Sequence, residues 1–303
     1  METNGHFNNL HKINYPEILI NWYGDEKIRE KYNNAISLDI ERLSSNALAE
    51  KFRNWMNLPQ IPLESFKNKI IDLPNNLNAV CGIRFVGGNS KRPFVDIIAR
   101  NFKLTRETIL NLKTIALDEY KIFNPETIRI FFPNQEDIEI TESKTDLWLI
   151  AGQTKYLIKS PDKIRLVKPK DLSFFDEFKK EYKKLIKSSK NPSIFYPCSR
   201  EDFEAAMADG HVRIWQEDNK ICGLIASIPS HEFAPNAHTI LEEFIYEHKR
   251  GKGLGKWFQL SFMNEIAKLG VSHIIGTIDD SNKPSLKTAL GTGRVCIGKW
   301  EFL

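Results

Sequence analysis

The residues best suited to chemistry lie close together, between positions 239 and 256. Arg250-Gly251-Lys252-Gly253-Leu254-Gly255 places three glycines in six residues, with Lys249 and Lys256 on either side. Glycine admits positive φ and lets backbone N–H groups turn toward a ligand. A helix that follows adds unpaired first-turn donors and a dipole that favours phosphate. Lys249, Arg250, Lys252 and Lys256 bring positive charge to the same spot. Just upstream, Glu242 and Glu243 are neighbouring carboxylates, a group able to take a proton from an attacking nucleophile. In a strand successive side chains alternate, so only one of the two faces a given cleft, and the sequence leaves open which.

The flanking pattern supplies the elements that would hold these groups. Thr239 to Tyr246 is rich in β-branched and aromatic residues and reads as a strand. Leu254, Phe258, Phe262, Ile266 and Leu269 recur at helical spacing, and Gly270 stops that helix. A strand, a glycine-rich turn and a helix N-terminus make an anion site. A Walker loop is excluded, because only three residues separate Gly251 from Gly255 and Trp257 follows Lys256. The dinucleotide fingerprint fails as well, because its third glycine comes one residue early.

What the stretch does match is R-x-x-G-x-G, with Arg250, Gly253 and Gly255 in place. It resembles the pyrophosphate-binding loop of the Gcn5-related N-acetyltransferase (GNAT) family. Beyond the loop helix, Ser272 to Ile278 reads as a strand, Asp279 to Asn282 as a turn, and Ser285 to Leu290 as a short helix. Val295 to Leu303 reads as a last strand. Asn282, Ser285 and Gly293 fall where the family has an Asn, a small residue and a Gly-aromatic pair, but Arg294 replaces the aromatic. Ala289 stands where many members have a Tyr that protonates the leaving thiolate.

The resemblance implies acetyl-CoA as cosubstrate and transfer of its acetyl group to a primary amine, with no metal. The implied cofactor contacts are Phe244, Ile245, Tyr246, Arg250, Gly251, Lys252, Gly253, Leu254, Gly255, Lys256, Asn282 and Ser285. Ile245 takes the position whose N–H points at the thioester carbonyl, and Glu242 or Glu243 that of a base, a role that ordered water also fills in the family. His231, His238 and His273 are further proton-handling groups, although a lone histidine is more often structural. The rival reading is a non-catalytic protein of the same fold that binds CoA or acyl-CoA to regulate or scaffold a partner.

Around this site the second half, 159–303, reads as an α/β (α+β) domain with a mixed, mostly antiparallel sheet flanked by helices. Ile164 to Val167 is its first strand, and Asp171 is expected to cap a helix with Phe174, Phe175, Phe178, Tyr182, Leu185 and Ile186 inward. The lysines of that helix read as a solvated face. Ser199 opens a second helix after a loop bracketed by Pro192 and Pro197, and Val212–Gln216 with Ile221–Ile228 form a hairpin across Asp218-Asn219. The family usually closes with a seventh strand, so that edge either stays open or is filled by another segment.

The first half, 1–158, reads as a helix-rich α/β domain, and Lys155 to Lys163 as the connection between halves. Apolar helical patches run through Ile18–Tyr23 and Leu38–Trp55, and Ser65 to Ile71 suggests another short helix. Ala79–Val86 and Phe94–Ala99 form a hairpin, followed by a helix capped by Thr105 and a strand from Thr127 to Phe132. Asp137–Thr141 and Asp146–Ile150 suggest one more pair. Hairpin, helix and strand in that order fit either a degenerate domain of the same kind or an unrelated α/β domain, with no sequence repeat between the halves to choose between them. Arg100-Asn101-Phe102-Lys103-Leu104, however, offers no glycine to wrap a pyrophosphate.

Composition fits these expectations. A length of 303 residues suits two domains, and 41% hydrophobic with 27% charged residues suits a globular protein. A formal net charge of +4 is too small to argue a nucleic-acid partner. No run of 18 apolar residues suggests a membrane span, and the polar first ten residues do not read as a secretory signal. Cys81, Cys198, Cys222 and Cys296 are scattered, as expected of free thiols in a reducing cytoplasm. The sequence does not name the acceptor amine or the oligomeric state.

Overall fold

The computed structural model describes residues 10–134, 143–156, 164–189, 197–230 and 234–303. Two units emerge, residues 1–147 with 297–303, and residues 148–296. Relative to the expected boundary at 158/159, residues 148–156 join the second unit and 297–303 join the first. The strand expected at 137–141, most of the 155–163 connection, Pro192 and His231 lie outside the described residues.

The elements in chain order begin with α1 (His11–Asn14), α2 (Glu17–Tyr23), α3 (Asp25–Glu41) and α4 (Asn46–Trp55). Then come β1 (Lys69–Leu73), β2 (Leu77–Phe85), β3 (Pro93–Arg100), α5 (Arg106–Glu119), β4 (Ile128–Pro133) and β5 (Lys144–Gln153). The second unit continues with β6 (Leu166–Val167), α6 (Phe175–Ser188), α7 (Arg200–Ala208), β7 (Val212–Glu217), β8 (Lys220–Pro229) and β9 (Ala237–Ile245). It ends with α8 (Gly255–Ala267), β10 (His273–Asp279) and α9 (Lys283–Gly291), and β11 (Val295–Phe302) closes the chain.

In the first unit the strands lie in the order β1-β2-β3-β4-β11. The short helix expected at 65–71 is instead a 3-10 turn, Leu63–Phe66, followed by β1. Alternation explains the strand: Ile71 and Leu73 are buried while Ile70 and Asp72 are exposed, and Ile71 pairs with Ala79. Leu38 and Trp55, expected on an apolar patch, are exposed. The core gathers Phe52, Phe66, Ile83, Val95, Leu112, Ile130 and Leu303. Thr105 caps α5 reciprocally with Thr108, at 3.1 and 2.9 Å.

β3 and β4 run parallel for three pairs, Val95–Ile128 to Ile97–Ile130. A bulge at Ile98, between the Cys81 and Val80 pairings, ends that register. Past it, both backbone groups of Arg100 are taken by one side chain. Its N–H donates to Asn14 Oδ1 at 3.2 Å, and its carbonyl accepts from Asn14 Nδ2 at 2.8 Å.

β11 runs antiparallel to β4, from Gly298–Pro133 to Phe302–Arg129. Trp300 lies on Phe131 with ring centroids 4.5 Å apart, and Phe302 meets Phe94 at 5.2 Å. This aromatic pairing is why the last seven residues leave the expected second domain.

The second unit orders its strands β5-β10-β9-β8-β7-β6. β5, from upstream, therefore flanks β10 and fills the edge that the sequence left open. One face carries α6 and α7 through Phe174, Phe178, Tyr182 and Phe203, which meet Leu224 and Phe244. The other carries α8 through Phe258, Phe262, Met263 and Ile266, against Trp215, Ile225 and Ile274. Leu269, expected on that apolar face, is exposed. α6 starts three residues later than expected, with Phe174 at the cap position, because Asp171 accepts the Ser173 N–H at 2.9 Å in a preceding turn. The β7–β8 hairpin turns through Asp218 and Asn219, at φ +48° and +60°. Each unit thus holds an antiparallel run of strands whose last member takes a parallel neighbour across a helix.

Candidate active site

The loop between β9 and α8 has the shape an anion needs. Gly251 and Gly253 adopt φ +71° and +68°, and a Cβ on either would meet nothing within 4 Å. Their glycine requirement is therefore conformational, beside open space. No side chain caps the start of α8 at Leu254, so its first-turn N–H groups stay available to a ligand. Gly255 differs, because a Cβ there would stand 3.2 Å from Thr288 Oγ1, and α8 approaches α9 at this point.

The cations divide into two kinds. Arg250 donates Nε–H to the Ile245 carbonyl at 2.5 Å and lies 4.8 Å over the Phe244 ring, so it braces the loop against β9. Lys249 is paired with Glu217 and does not add free charge, contrary to expectation. Lys252 reaches the His248 carbonyl at 3.0 Å, and Lys256 sits 4.9 Å from the Trp257 ring centre. These two lie beside the loop in no ion pair with a carboxylate among the described residues.

β9 opens away from β10. Their parallel ladder holds two pairs, Ala237–His273 and His238–Ile274, with Thr239 Oγ1 donating to the Ile275 carbonyl at 2.6 Å. A bulge at Leu241, where the register with β8 shifts between Ala226 and Ser227, bends the strand beyond that point. Tyr246 N–H bonds the Cys222 carbonyl at 2.9 Å, so by alternation the Ile245 N–H points away from β8, toward the opened side. Phe244 and Tyr246 themselves pack into the α6–α7 core.

The bulge also settles where the two carboxylates go. Leu241 packs on the α6–α7 face, as do Phe244 and Tyr246. Glu242, buried on that face, accepts the Cys198 N–H at 3.2 Å and the Glu243 N–H at 3.1 Å. Burial pushes its carboxyl up to about 7, and the two backbone donors pull it partly back. Glu243 faces α8 and accepts from the Gln259 side-chain amide. Its carboxyl is likewise pushed up to about 7 by burial, against the pull of that hydrogen bond and of Arg294.

Asn282 Oδ1 accepts the Ser285 N–H at 3.3 Å and so caps α9, and Ala289 is fully buried in that helix. His238 bonds Ser227 Oγ at 3.1 Å near the paired end of β9, far along the strand from Ile245, and His273 bonds Ser272 Oγ at 2.7 Å. Burial lowers both to about 4, so they are neutral. No group of three or more metal-ligating side chains occurs among the described residues. No helix among them is long and apolar enough to cross a membrane.

Two site residues escaped the sequence reading as participants. Gln259 is a polar side chain within the apolar run Trp257-Phe258-Gln259-Leu260, and Arg294 was visible only as a departure from the family pattern. Both are buried and bonded to each other.

This architecture is a GNAT-like fold. The chain superposes on the GCN5-related N-acetyltransferase of Sphaerobacter thermophilus with a TM-score of 0.51 at 12% identity, over 88% of each chain. It is also similar to a GNAT-family acetyltransferase from Colwellia psychrerythraea (TM-score 0.48, 11% identity, 84% of this chain and 95% of that one). A GCN5-related N-acetyltransferase from Kribbella flavida aligns at TM-score 0.44 and 9% identity, over 86% and 94%. No protein-family model matches the chain, and no curated protein does.

Proposed function

We propose that the second unit is an acetyl-CoA-dependent N-acyltransferase acting on a primary amine. The observation that carries this reading is the conjunction at the end of β9: an uncapped helix N-terminus behind positive-φ glycines, an outward Ile245 N–H, and a buried Glu242 carboxyl. The loop and the first turn of α8 hold the pyrophosphate, with Lys252 and Lys256 alongside. The pantetheine arm lies along the opened side of β9. The thioester carbonyl takes the Ile245 N–H, which stabilises the oxyanion as it forms.

Glu242 is the base, rather than Glu243. Its partners are two backbone donors with no cation, so its proton affinity is free to change during a reaction. Glu243 is committed to Gln259. Glu242 takes one proton from the incoming ammonium, and the neutral amine attacks the thioester carbon. The adduct collapses with loss of the C–S bond, and its second N–H proton goes to the departing thiolate. The products are an N-acetyl amine and free CoA, with one proton returned to solvent from Glu242. With Ala289 in place of a tyrosine, water is the carrier of the thiolate's proton. Thiol release from acetyl-CoA over a panel of amines tests the proposal. CoA binding without turnover of any amine would favour the regulatory reading instead.

A further inference from the structure

β9, α8 and the turn after α9 meet at one buried point. Gln259, in the second turn of α8, is 2% exposed and Arg294 is 5% exposed. Arg294 Nη2 donates to Gln259 Oε1 at 2.7 Å, and Gln259 Nε2 donates to Glu243 Oε2. Gly152 makes room for the arginine, because a Cβ there would come within 2.7 Å of Arg294 Cγ. Donor chemistry fixes the direction of this chain. A guanidinium only donates, so the amide oxygen of Gln259 must face Arg294, and its NH2 is left for Glu243. The carboxylate and the guanidinium form a neutral set joined through one amide. Burial lowers Arg294 to about 10 and raises Glu243 to about 7, while each opposite charge pulls the other back.

We infer that Arg294 and Gln259 are positioning residues that clamp the opened end of β9 to α8, holding the Ile245 N–H and the glycine loop at the separation an acyl-CoA needs. The inference rests on the acyl-CoA reading of the cleft. The three tied elements carry every proposed cofactor contact: Ile245 on β9, the loop ahead of α8, and Asn282 with Ser285 on α9. Without the clamp, an unpaired carboxylate under α8 would draw in water and let the strand end drift from the helix.

The test uses the full chain, CoA as the titrant, and ¹³C-labelled glutamate side chains. Arg294→Met is expected to weaken CoA binding at least about tenfold and to move the Glu243 midpoint up by about one pH unit, leaving Glu242 in place. Arg294→Lys, which keeps the charge and a donor, is expected to recover part of both. If the Met variant does not fold, Glu243→Gln with Arg294→Met removes both charges at once, and it is expected to bind CoA at least about tenfold more weakly than Glu243→Gln alone, equal affinity of the two overturning the inference. A folded Arg294→Met with wild-type CoA affinity and an unmoved Glu243 midpoint overturns the inference while leaving the site intact. Wild-type protein that fails to bind CoA at all removes the site and the clamp together.

Discussion

Gly253 sits at φ +68° with open space where a Cβ would stand, so substitution there costs backbone strain rather than a clash. Valine, branched at Cβ, is the harsh test, because it both resists positive φ and screens the backbone from an approaching pyrophosphate. Gly253→Val is expected to weaken CoA at least about tenfold, or about 1.4 kcal/mol, with the fold retained by circular dichroism. Unchanged affinity in the folded variant would end the loop assignment. The neighbouring glutamates are separated by the same kind of test. Burial pushes both carboxyls up to about 7, but Glu243 is held by the Gln259 amide within reach of the Arg294 charge, whereas Glu242 accepts backbone donors. Glu242→Gln is expected to lower kcat/KM about 10²–10⁴-fold and to abolish the limb that rises through pH 7 as the base ionises. Glu243→Gln is expected to keep that limb. The assignment fails if the limb survives in Glu242→Gln and vanishes in Glu243→Gln. Sequence could place these two residues on opposite faces, but not choose between them, because the choice depends on Gln259 and Arg294 arriving from distant segments.

β9 also shows how elements were legible while their edges were not. The strand, the glycine turn and α8 declared themselves by β-branched content, by spacing and by Gly270, which takes φ +90° after the helix. The bulge at Leu241 left no such mark, since nothing in Ile240-Leu241-Glu242 distinguishes an extra residue from a regular one. Asp171 misled for a local reason: it found a turn N–H before it could cap a helix. The strand's titrating groups give a prediction at this scale. Glu242 is raised from 4.5 to about 7, so its contribution to stability is full below its ordinary value and is lost as pH rises through 7. His238 is depressed from 6.5 to about 4, so its contribution is present above 6.5 and is lost as pH falls through 4. The two trends oppose each other between pH 5 and 6. In urea titrations, Glu242→Gln is therefore expected to gain on wild type from pH 5 to pH 8, by up to about 3 kcal/mol. A stability difference that does not change with pH would show that this carboxyl is not displaced by burial.

At the scale of the whole molecule, the two units repeat one device and use it differently. Each has a strand that pairs in parallel, bulges, and leaves its neighbour before a helix: β3 with Ile98, and β9 with Leu241. This likeness was readable as an order of elements, without any matching of residues between halves. What decides ligand binding is the treatment of the opened edge. On β9 the Ile245 N–H faces outward, and α8 starts without a side-chain cap. On β3 the Arg100 N–H and carbonyl are both occupied by the Asn14 carboxamide, a ready mimic of a ligand's amide. The helix that follows is capped by Thr105, and the intervening segment has no glycine, with Phe102 and Leu104 buried in the core. Among the described residues, the place in the first unit that corresponds to the proposed cofactor loop thus offers no open backbone at Arg100, no uncapped helix start at Thr105 and no glycine between them. Each chain is expected to bind one CoA. Isothermal titration should give a stoichiometry of one, and Gly253→Val should reduce that single event rather than one of two. Asn14→Ala removes the amide that fills the first groove, and it is expected to speed hydrogen exchange at Arg100 N–H without creating a second CoA site, because the capped helix still offers no anion cradle. Two equivalent sites in the wild type, or a CoA event that survives intact in Gly253→Val, would show that the first unit holds cofactor after all.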